Sequence, residues 1–161
     1  MITAYIGLGS NLKNPVQQVS QAISELSQWD ALSLVKVSSL YKSPPMGPQD
    51  QPDYVNAVAE IATPLSPEEL LSTLQAIENS HGRRRDAGKW SARTLDLDVL
   101  LYGDEIINTK DLIIPHSGLY ERAFVLYPLE EIASGDLLIP GHGTLAQLLA
   151  NCERGLLELI S

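Results

Sequence analysis

LSLVKVSSLYK (residues 32–42), SPPMGPQDQP (43–52) and DYVNAVAEIA (53–62) follow one another with no helical stretch between them. The first and third are rich in β-branched and aromatic residues and read as strands. The middle segment holds four prolines and a glycine in ten residues, so it is neither helix nor sheet. A loop of that length in a compact domain is more often functional than not. Its prolines limit its freedom, so it offers a ligand a preformed backbone edge. Strands joined by a loop alone pair antiparallel, which argues against a doubly wound parallel sheet, where a helix separates successive strands. Along residues 53–62, Val55, Ala57, Ala59 and Ile61 fall on one face and Tyr54 and Asn56 on the other.

On the amino-terminal side, Ile2, Ala4, Ile6 and Leu8 alternate with Thr3, Tyr5, Gly7 and Gly9, which predicts a first strand ended by a turn at Gly9-Ser10-Asn11. Gly7-Leu8-Gly9-Ser10 lacks the lysine of a P-loop and the third glycine of a dinucleotide fingerprint, so it reads as a turn. Asn14 as N-cap and Pro15 at the first helical position open a helix to about Trp29, with Val16, Val19, Ile23 and Leu26 inward. On the other side, Ser66-Pro67-Glu68-Glu69 is a capping box for a helix with Leu70, Leu71, Leu74 and Ile77 inward, closed by Gly82. A strand follows from residue 95 and a turn at 102–105, then edge pairing over 106–114. Residues 121–127 are expected to form a helix, or a helix and a turn, before Pro128, and a last helix begins near Thr144; residues 152–161 carry no readable pattern. Single helices between strands, with one early hairpin-like pair, predict an α+β fold: a ferredoxin-like βαββαβ sandwich with a mainly antiparallel sheet and long functional loops. One sheet face is expected to pack on helices, and the other to carry Tyr54, Asn56, Asp96 and Asp98 toward a pocket.

GRRRDAGKWSARTLDLDVLL (82–101) gathers most of the unusual chemistry. Arg83, Arg84, Arg85, Lys89 and Arg93 are five of the eleven Lys and Arg residues and meet one acid, Asp86, in a protein of net charge −9. Clustered cations repel one another unless something anionic neutralises them. From Leu95, the residues Leu95, Leu97, Val99 and Leu101 alternate with Asp96 and Asp98, two adjacent carboxylates that repel unless a cation lies between them. Oxygen ligands of this kind suit Mg²⁺ shared with substrate phosphates. Arginines that grip phosphate oxygens, leading into aspartates that hold the metal, are what phosphoryl or nucleotidyl transfer needs. Separately, an Asp-x-Asp is commonly a solvated strand face and an arginine run a solvent-facing loop; their adjacency, with Trp90 among the cations, favours a nucleotide–metal site. Gln75 and Glu78 run beside the apolar stripe of the preceding helix, and His81 stands at its exit.

The 161 residues suit one domain, 1–161, with no linker. No apolar run approaches a membrane span and no signal peptide opens the chain, so the expected location is cytoplasmic. Cys152 has no partner for a disulfide within the chain and reads as a small packing residue.

The segments TAYIGLGSNL, SPPMGPQDQPDYVNA, RTLDLDVLLYG and IIPH, in that order over nearly the whole chain, resemble the 6-hydroxymethyl-7,8-dihydropterin pyrophosphokinase family of folate biosynthesis. The resemblance implies transfer of the intact pyrophosphate of ATP to the hydroxymethyl group of a reduced pterin, giving AMP, with two Mg²⁺ on a ferredoxin-like scaffold. Carried over by position, it implies Asp96 and Asp98 as the metal ligands and, with Arg83 and Arg93, as the catalytic group. Ser43, Pro44, Pro45 and Met46 would line the pterin pocket, Asn56 would read the pterin edge, Tyr54 and Phe124 would sandwich the bicycle, and Trp90 would close over it from a mobile loop. On the ATP side it implies Gln75, Glu78, Arg83, Arg85, Trp90, Arg93, His116 and Arg122. Ser91 departs from the small Gly or Ala of the motif, Asp86 from a basic residue, and Ser117 and Asp111 from a Tyr and an Arg near ATP. The expected partners are ATP and the pterin, with no nucleic acid and no membrane, and the expected state is a monomer.

Two rival readings fit less well. A polymerase β-like nucleotidyltransferase places its Gly-Ser shortly before the Asp-x-Asp, whereas Gly9-Ser10 here precedes Asp96 by more than eighty residues. An RNA-binding module would want a long basic face and an aromatic pair, and net charge −9 speaks against it.

Overall fold

The computed structural model describes residues 1–11, 14–44, 53–81, 95–119 and 122–160. Its main sheet is built from β1 (Ile2–Ser10), β2 (Ser33–Val37), β3 (Tyr41–Ser43), β4 (Tyr54–Thr63), β5 (Asp96–Tyr102) and the short β10 (Glu158–Leu159). The strand order is β10-β3-β4-β1-β5, with β2 also on β4, and every neighbouring pair is antiparallel. Helix α1 (Pro15–Gln28) follows β1, and α2 (Pro67–Ser80) joins β4 to β5. This is the βαββαβ plan, with its first and third strands, β1 and β4, in the middle of the sheet.

Local signals behave largely as their chemistry dictates. The Ser66 hydroxyl accepts the Glu69 N–H (3.2 Å) and the Glu69 carboxylate accepts the Ser66 N–H (2.9 Å), the reciprocal cap expected of that motif. Those hydrogen bonds hold the Glu69 carboxyl below its ordinary range. Asn14 occupies the N-cap of α1, but with φ 66° its side chain makes no capping bond and donates instead to Gln17 Oε1 (3.1 Å). The closing residue expected for α2, Gly82, lies outside the described residues.

Both faces of the sheet are covered, where one was expected to be. Helices α1 and α2 bury Ala4, Ile6 and Leu8 of β1, Ala59 and Ile61 of β4, and Leu97 and Val99 of β5. On the opposite face, α3 (Ala123–Ile132) and α4 (Leu145–Ala150) build a second core in which Leu126, Leu129 and Leu145 meet Tyr5, Val58, Leu100 and Leu101. Helix α3 runs through Pro128 rather than stopping before it. The ring lacks the N–H that would meet the Phe124 carbonyl, a cost offset by burial of Pro128 with Val125, Leu126 and Leu129.

The register of β5 explains another departure. Ile6 pairs with Val99 and Tyr5 with Leu101, so Leu100 has no partner on β1 and forms a bulge. The extra residue turns Leu101 away from Leu95, Leu97 and Val99 and into the α3 core, while Tyr102 joins the α1–α2 side and donates its hydroxyl to the Leu65 carbonyl. The strand expected over 32–42 is likewise broken into β2 and β3. Ser38 replaces regular pairing there: its N–H donates to the Val58 carbonyl and its hydroxyl accepts the Val58 N–H, both at 2.9 Å. Residues 106–114 form a separate hairpin of β6 (Ile107–Asn108) and β7 (Ile113–Ile114) instead of extending the main sheet. A second small hairpin, β8 (Leu138–Ile139) with β9 (Gly143–Thr144), precedes α4, whose cap at Thr144 is again a reciprocal box, with Gln147. The unclassified carboxyl end supplies β10, which pairs with β3.

The break after β2 is tied to α3 by Glu131, whose carboxylate accepts the Ser39 N–H and hydroxyl and the Tyr41 hydroxyl. Burial, and then the hydrogen bond to Glu131, push the Tyr41 phenol from 10 up to about 12. A folded-state value above the unfolded one means that Tyr41 contributes its stability fully below pH 10 and loses it as pH rises to about 12. We expect Tyr41→Phe to be less stable than the wild type at pH 8, with the gap closing across that window; urea melts at several pH values would check this.

Candidate functional site

The alternation of β4 and β5 sends Tyr54, Asn56, Asp96 and Asp98 to the α3 side of the sheet, beyond the part that α3 covers. There they line a cavity of about 440 Å³. Strand β1, which lies between β4 and β5, contributes no side chain to its floor at Gly7 and Gly9. Gly9 pairs with Asn56 on one side and Asp96 on the other, and Gly7 pairs with Val58 and Asp98. Two interstrand spacings separate Asn56 from Asp96, about 10 Å, and a Cβ on Gly9 would come within 3.3 Å of Asn56 Oδ1. The glycines therefore keep a flat bed open between an amide and a carboxylate. Gly7 and Gly9 are strand residues, as the alternation over 2–9 predicts, and the strand runs on through Ser10 where a turn at Gly7–Ser10 is expected; the two glycines line the site. The signal that identifies them is their spacing of two on a largely apolar strand, which needs the neighbouring strands to be interpreted.

The lining combines polar and aromatic side chains. Asn56 is buried and its Nδ2 donates to Ser43 Oγ at 2.7 Å, so the amide orientation is set before any ligand arrives. Ser43, Pro44, Tyr54 and Phe124 all line the cavity, as do His116 and Arg122. The Arg122 guanidinium carbon lies 5.7 Å from the centre of the Phe124 ring. Asp96 is half-buried and Asp98 exposed. His116 Nε2 stands 3.8 Å from Asp98 Oδ1, and its Nδ1 accepts the Gly118 N–H at 3.1 Å. An accepting Nδ1 puts the proton of the neutral ring on Nε2, facing Asp98.

A second hollow of about 240 Å³ shares Asp98 and His116 with the first. Leu71, Leu97, Val99 and Leu112 give it apolar walls, and Lys110, Asp111 and Ser117 its polar ones. Among the described residues these two hollows thus meet at one carboxylate and one imidazole. Asp96 and Asp98 are hard oxygen donors set on one face of a strand, and among the described residues no third acid, His or Cys completes a metal cluster with them. That set fits Mg²⁺, which is commonly held by one or two carboxylates plus substrate phosphates and water.

Of the expected site residues, the structure brings Ser43, Pro44, Tyr54, Asn56, Asp96, Asp98, His116, Arg122 and Phe124 to one cavity. Pro45, Met46, Arg83, Arg85, Trp90 and Arg93 lie outside the described residues. Gln75 and Glu78 line neither hollow. Glu78 is buried on α2, and its Oε2 accepts the N–H of Leu97, the residue between the two aspartates, at 2.8 Å. That bond occupies a backbone donor of β5, which ends the sheet. Glu78→Leu would leave the buried N–H without this acceptor, at a cost of about 1–3 kcal/mol, and Glu78→Gln, which keeps an acceptor, should cost less. Denaturant titration of both variants would measure it.

A model of the 7,8-dihydro-6-hydroxymethylpterin-pyrophosphokinase (HPPK) family matches residues 5–134. The chain is 56% identical over 149 residues to the 2-amino-4-hydroxy-6-hydroxymethyldihydropteridine pyrophosphokinase of Haemophilus influenzae, covering 92% of each chain. It is 47% identical to the Pseudomonas aeruginosa protein of the same name, covering 92% of this chain and 90% of that one. Among solved structures, a crystal structure of an HPPK-DHPS in complex with substrates superposes with a TM-score of 0.69 at 12% identity. The wild-type HPPK-DHPS of Plasmodium falciparum superposes with 0.67 at 14%. Each match covers 94% of this chain, which spans 45% and 43% of those longer chains, and at such identities the likeness concerns the fold.

Proposed function

This chain belongs to the 7,8-dihydro-6-hydroxymethylpterin-pyrophosphokinase (HPPK) family, and from that premise we infer that it transfers the pyrophosphoryl group of ATP to the hydroxymethyl oxygen of 6-hydroxymethyl-7,8-dihydropterin in folate biosynthesis, releasing AMP. The observation that carries the reading down to residues is the meeting of two compartments at Asp98 and His116. One is flat-floored, with an amide and two aromatic rings in its lining; the other has apolar and polar walls. In our reading the pterin lies on the glycine bed of the larger one. Asn56, preset by Ser43, hydrogen-bonds its polar edge, and Tyr54 and Phe124 cover its ring faces. The nucleoside takes the second hollow, so that the phosphates cross the boundary where Asp98 and His116 stand.

The reaction joins the hydroxymethyl oxygen to the β-phosphorus as the bond from that phosphorus to the α–β bridging oxygen breaks, and AMP leaves with the bridging electrons. The hydroxyl proton passes to water or to the carboxylate of Asp98 as the new bond forms. Arg122 stabilises negative charge spread over the phosphate oxygens, and His116 donates through its Nε2–H. Asp96 and Asp98 would hold Mg²⁺, which would supply charge neutralisation on the phosphates and acidify the hydroxyl when bound. Positioning does most of the work, since no covalent enzyme intermediate is needed. Arg83, Arg85, Arg93 and Trp90 enter this proposal through the cation-rich stretch of the sequence together with the family resemblance, and Pro45 and Met46 through the proline-rich stretch together with that resemblance. A second Mg²⁺ enters through the resemblance, while a single domain over residues 1–161, a monomeric state and a cytoplasmic location are carried into the proposal from the sequence reading. Among the described residues no helix is long and apolar enough to cross a membrane.

The deciding experiment incubates the protein with ATP, Mg²⁺ and the reduced hydroxymethylpterin and follows phosphorus by NMR. AMP and a pterin diphosphate should appear together and only when all three are present. ADP with orthophosphate, or AMP without the pterin, would overturn the reading.

A further inference from the structure

We propose that Gly118 is a positioning residue: its missing side chain sets where the Arg122 guanidinium stands in the cavity. The proposal rests on the reading of the cavity given above, in which Arg122 faces the phosphates. Gly118 is buried in the turn after His116. A Cβ built there would lie 2.7 Å from Arg122 Cζ and 2.8 Å from its Nε and Nη1, closer than real Cβ atoms approach other heavy atoms. The guanidinium is therefore laid directly against the Gly118 backbone. From that place it reaches both the cavity and the neighbourhood of the Phe124 ring.

The backbone does not ask for glycine at this position. Among the described residues the glycines with positive φ are Gly103, Gly141, Gly143 and Gly155, and Gly118 is not one of them. The turn would accept any L-residue on conformational grounds, so the space taken by Arg122 is what the absent side chain serves. The same residue acts on the site a second way. Its N–H donates to His116 Nδ1 and so keeps the imidazole proton on Nε2, toward Asp98. Alanine retains that N–H and removes only the space, which separates the two roles.

A methyl group at residue 118 must be met by a swing of the arginine, whose far end is free to move. The fold should tolerate this and catalysis should not, because misplacing a charged group by about 1 Å costs on the order of 10²-fold. The test is a double-mutant cycle on the full chain. Gly118→Ala should lower kcat/KM by about 10-fold or more and weaken binding of a non-hydrolysable ATP analogue, measured by calorimetry, with little change in thermal melting. The nitrogen-15 signature of His116 should stay that of the Nε2–H tautomer. In an Arg122→Ala background, the added methyl should have no further effect on either readout. A loss of the same size in both backgrounds, or no loss in the wild-type background, would overturn the proposal. Should Gly118→Ala fold poorly by itself, Gly118→Ala/Arg122→Ala should fold as well as Arg122→Ala, and failure of the double variant to fold would count equally against it. A wild type inactive toward ATP and pterin would refute the functional reading instead, and the calorimetric arm would still report on Gly118 and Arg122.

Discussion

Alanine in place of Asp96 or Asp98 should lower turnover by about 10³-fold while shifting the melting temperature by only a few degrees. The size follows from the role proposed for the pair. Metal-assisted stabilisation of transferring phosphates supplies several kcal/mol, and each ~1.4 kcal/mol is tenfold in rate. The small effect on folding follows from position. Asp98 is exposed, Asp96 is half-buried at the cavity edge, and neither belongs to a hydrophobic cluster. Exposed substitutions away from the core usually stay within about 0.5 kcal/mol. Binding of Mn²⁺ in the presence of an ATP analogue, read by electron paramagnetic resonance, gives a second measurement that does not depend on turnover, and it should weaken in both variants. Near-normal rates together with unchanged metal binding in both would remove the pair from the mechanism.

Asn56→Ala is expected to raise the Kd for the pterin by about 10²-fold, with at most a two- to threefold change, roughly, for the nucleotide. The asymmetry comes from where the amide sits. It is buried on β4, fixed by its bond to Ser43 Oγ, and faces Gly9 across the bed of the larger cavity; it does not line the second hollow. A polar ligand edge that loses its partner in such a place is left desolvated and unpaired. The variant also strands the Ser43 hydroxyl, so a stability loss of about 1–2 kcal/mol should accompany the binding defect. Calorimetric titration of each ligand separately would show it, and equal losses for both would move Asn56 out of the pterin subsite.

Much of the site is legible without coordinates because the rule that reveals it is local. In an extended chain successive side chains point to opposite faces, so Tyr54 with Asn56, and Asp96 with Asp98, are paired by covalent geometry once their strands are recognised. The Ser66–Glu69 cap is equally local, since its partners are three residues apart. So is the run of four prolines over residues 43–52, whose composition rules out a helical crossover and points to antiparallel pairing and with it the βαββαβ plan.

The remaining features depend on partners far away in the chain. The bulge at Leu100 exists only in relation to Tyr5 and Ile6, and nothing within the run Leu95 to Leu101 announces that the alternation fails at its end. Glu78 reads as a helix residue beside an apolar stripe until Leu97 is brought to its carboxylate. Gly7 and Gly9 read as strand or turn positions until Asn56 and Asp96 flank them and give their bareness a use. Helix α3 continues through Pro128 because a second core waits on the far side of the sheet, and tertiary packing there outweighs a propensity that would stop an isolated helix. The sequence by itself thus determined the strand order of chemistry: which residues share a face, and which of them carry amide, ring and carboxylate. Only the tertiary structure decided the distances between those faces, the floor beneath them and the turn that aims Arg122 and His116, because these rest on contacts whose partners are set by the packing of the whole chain rather than by neighbouring residues.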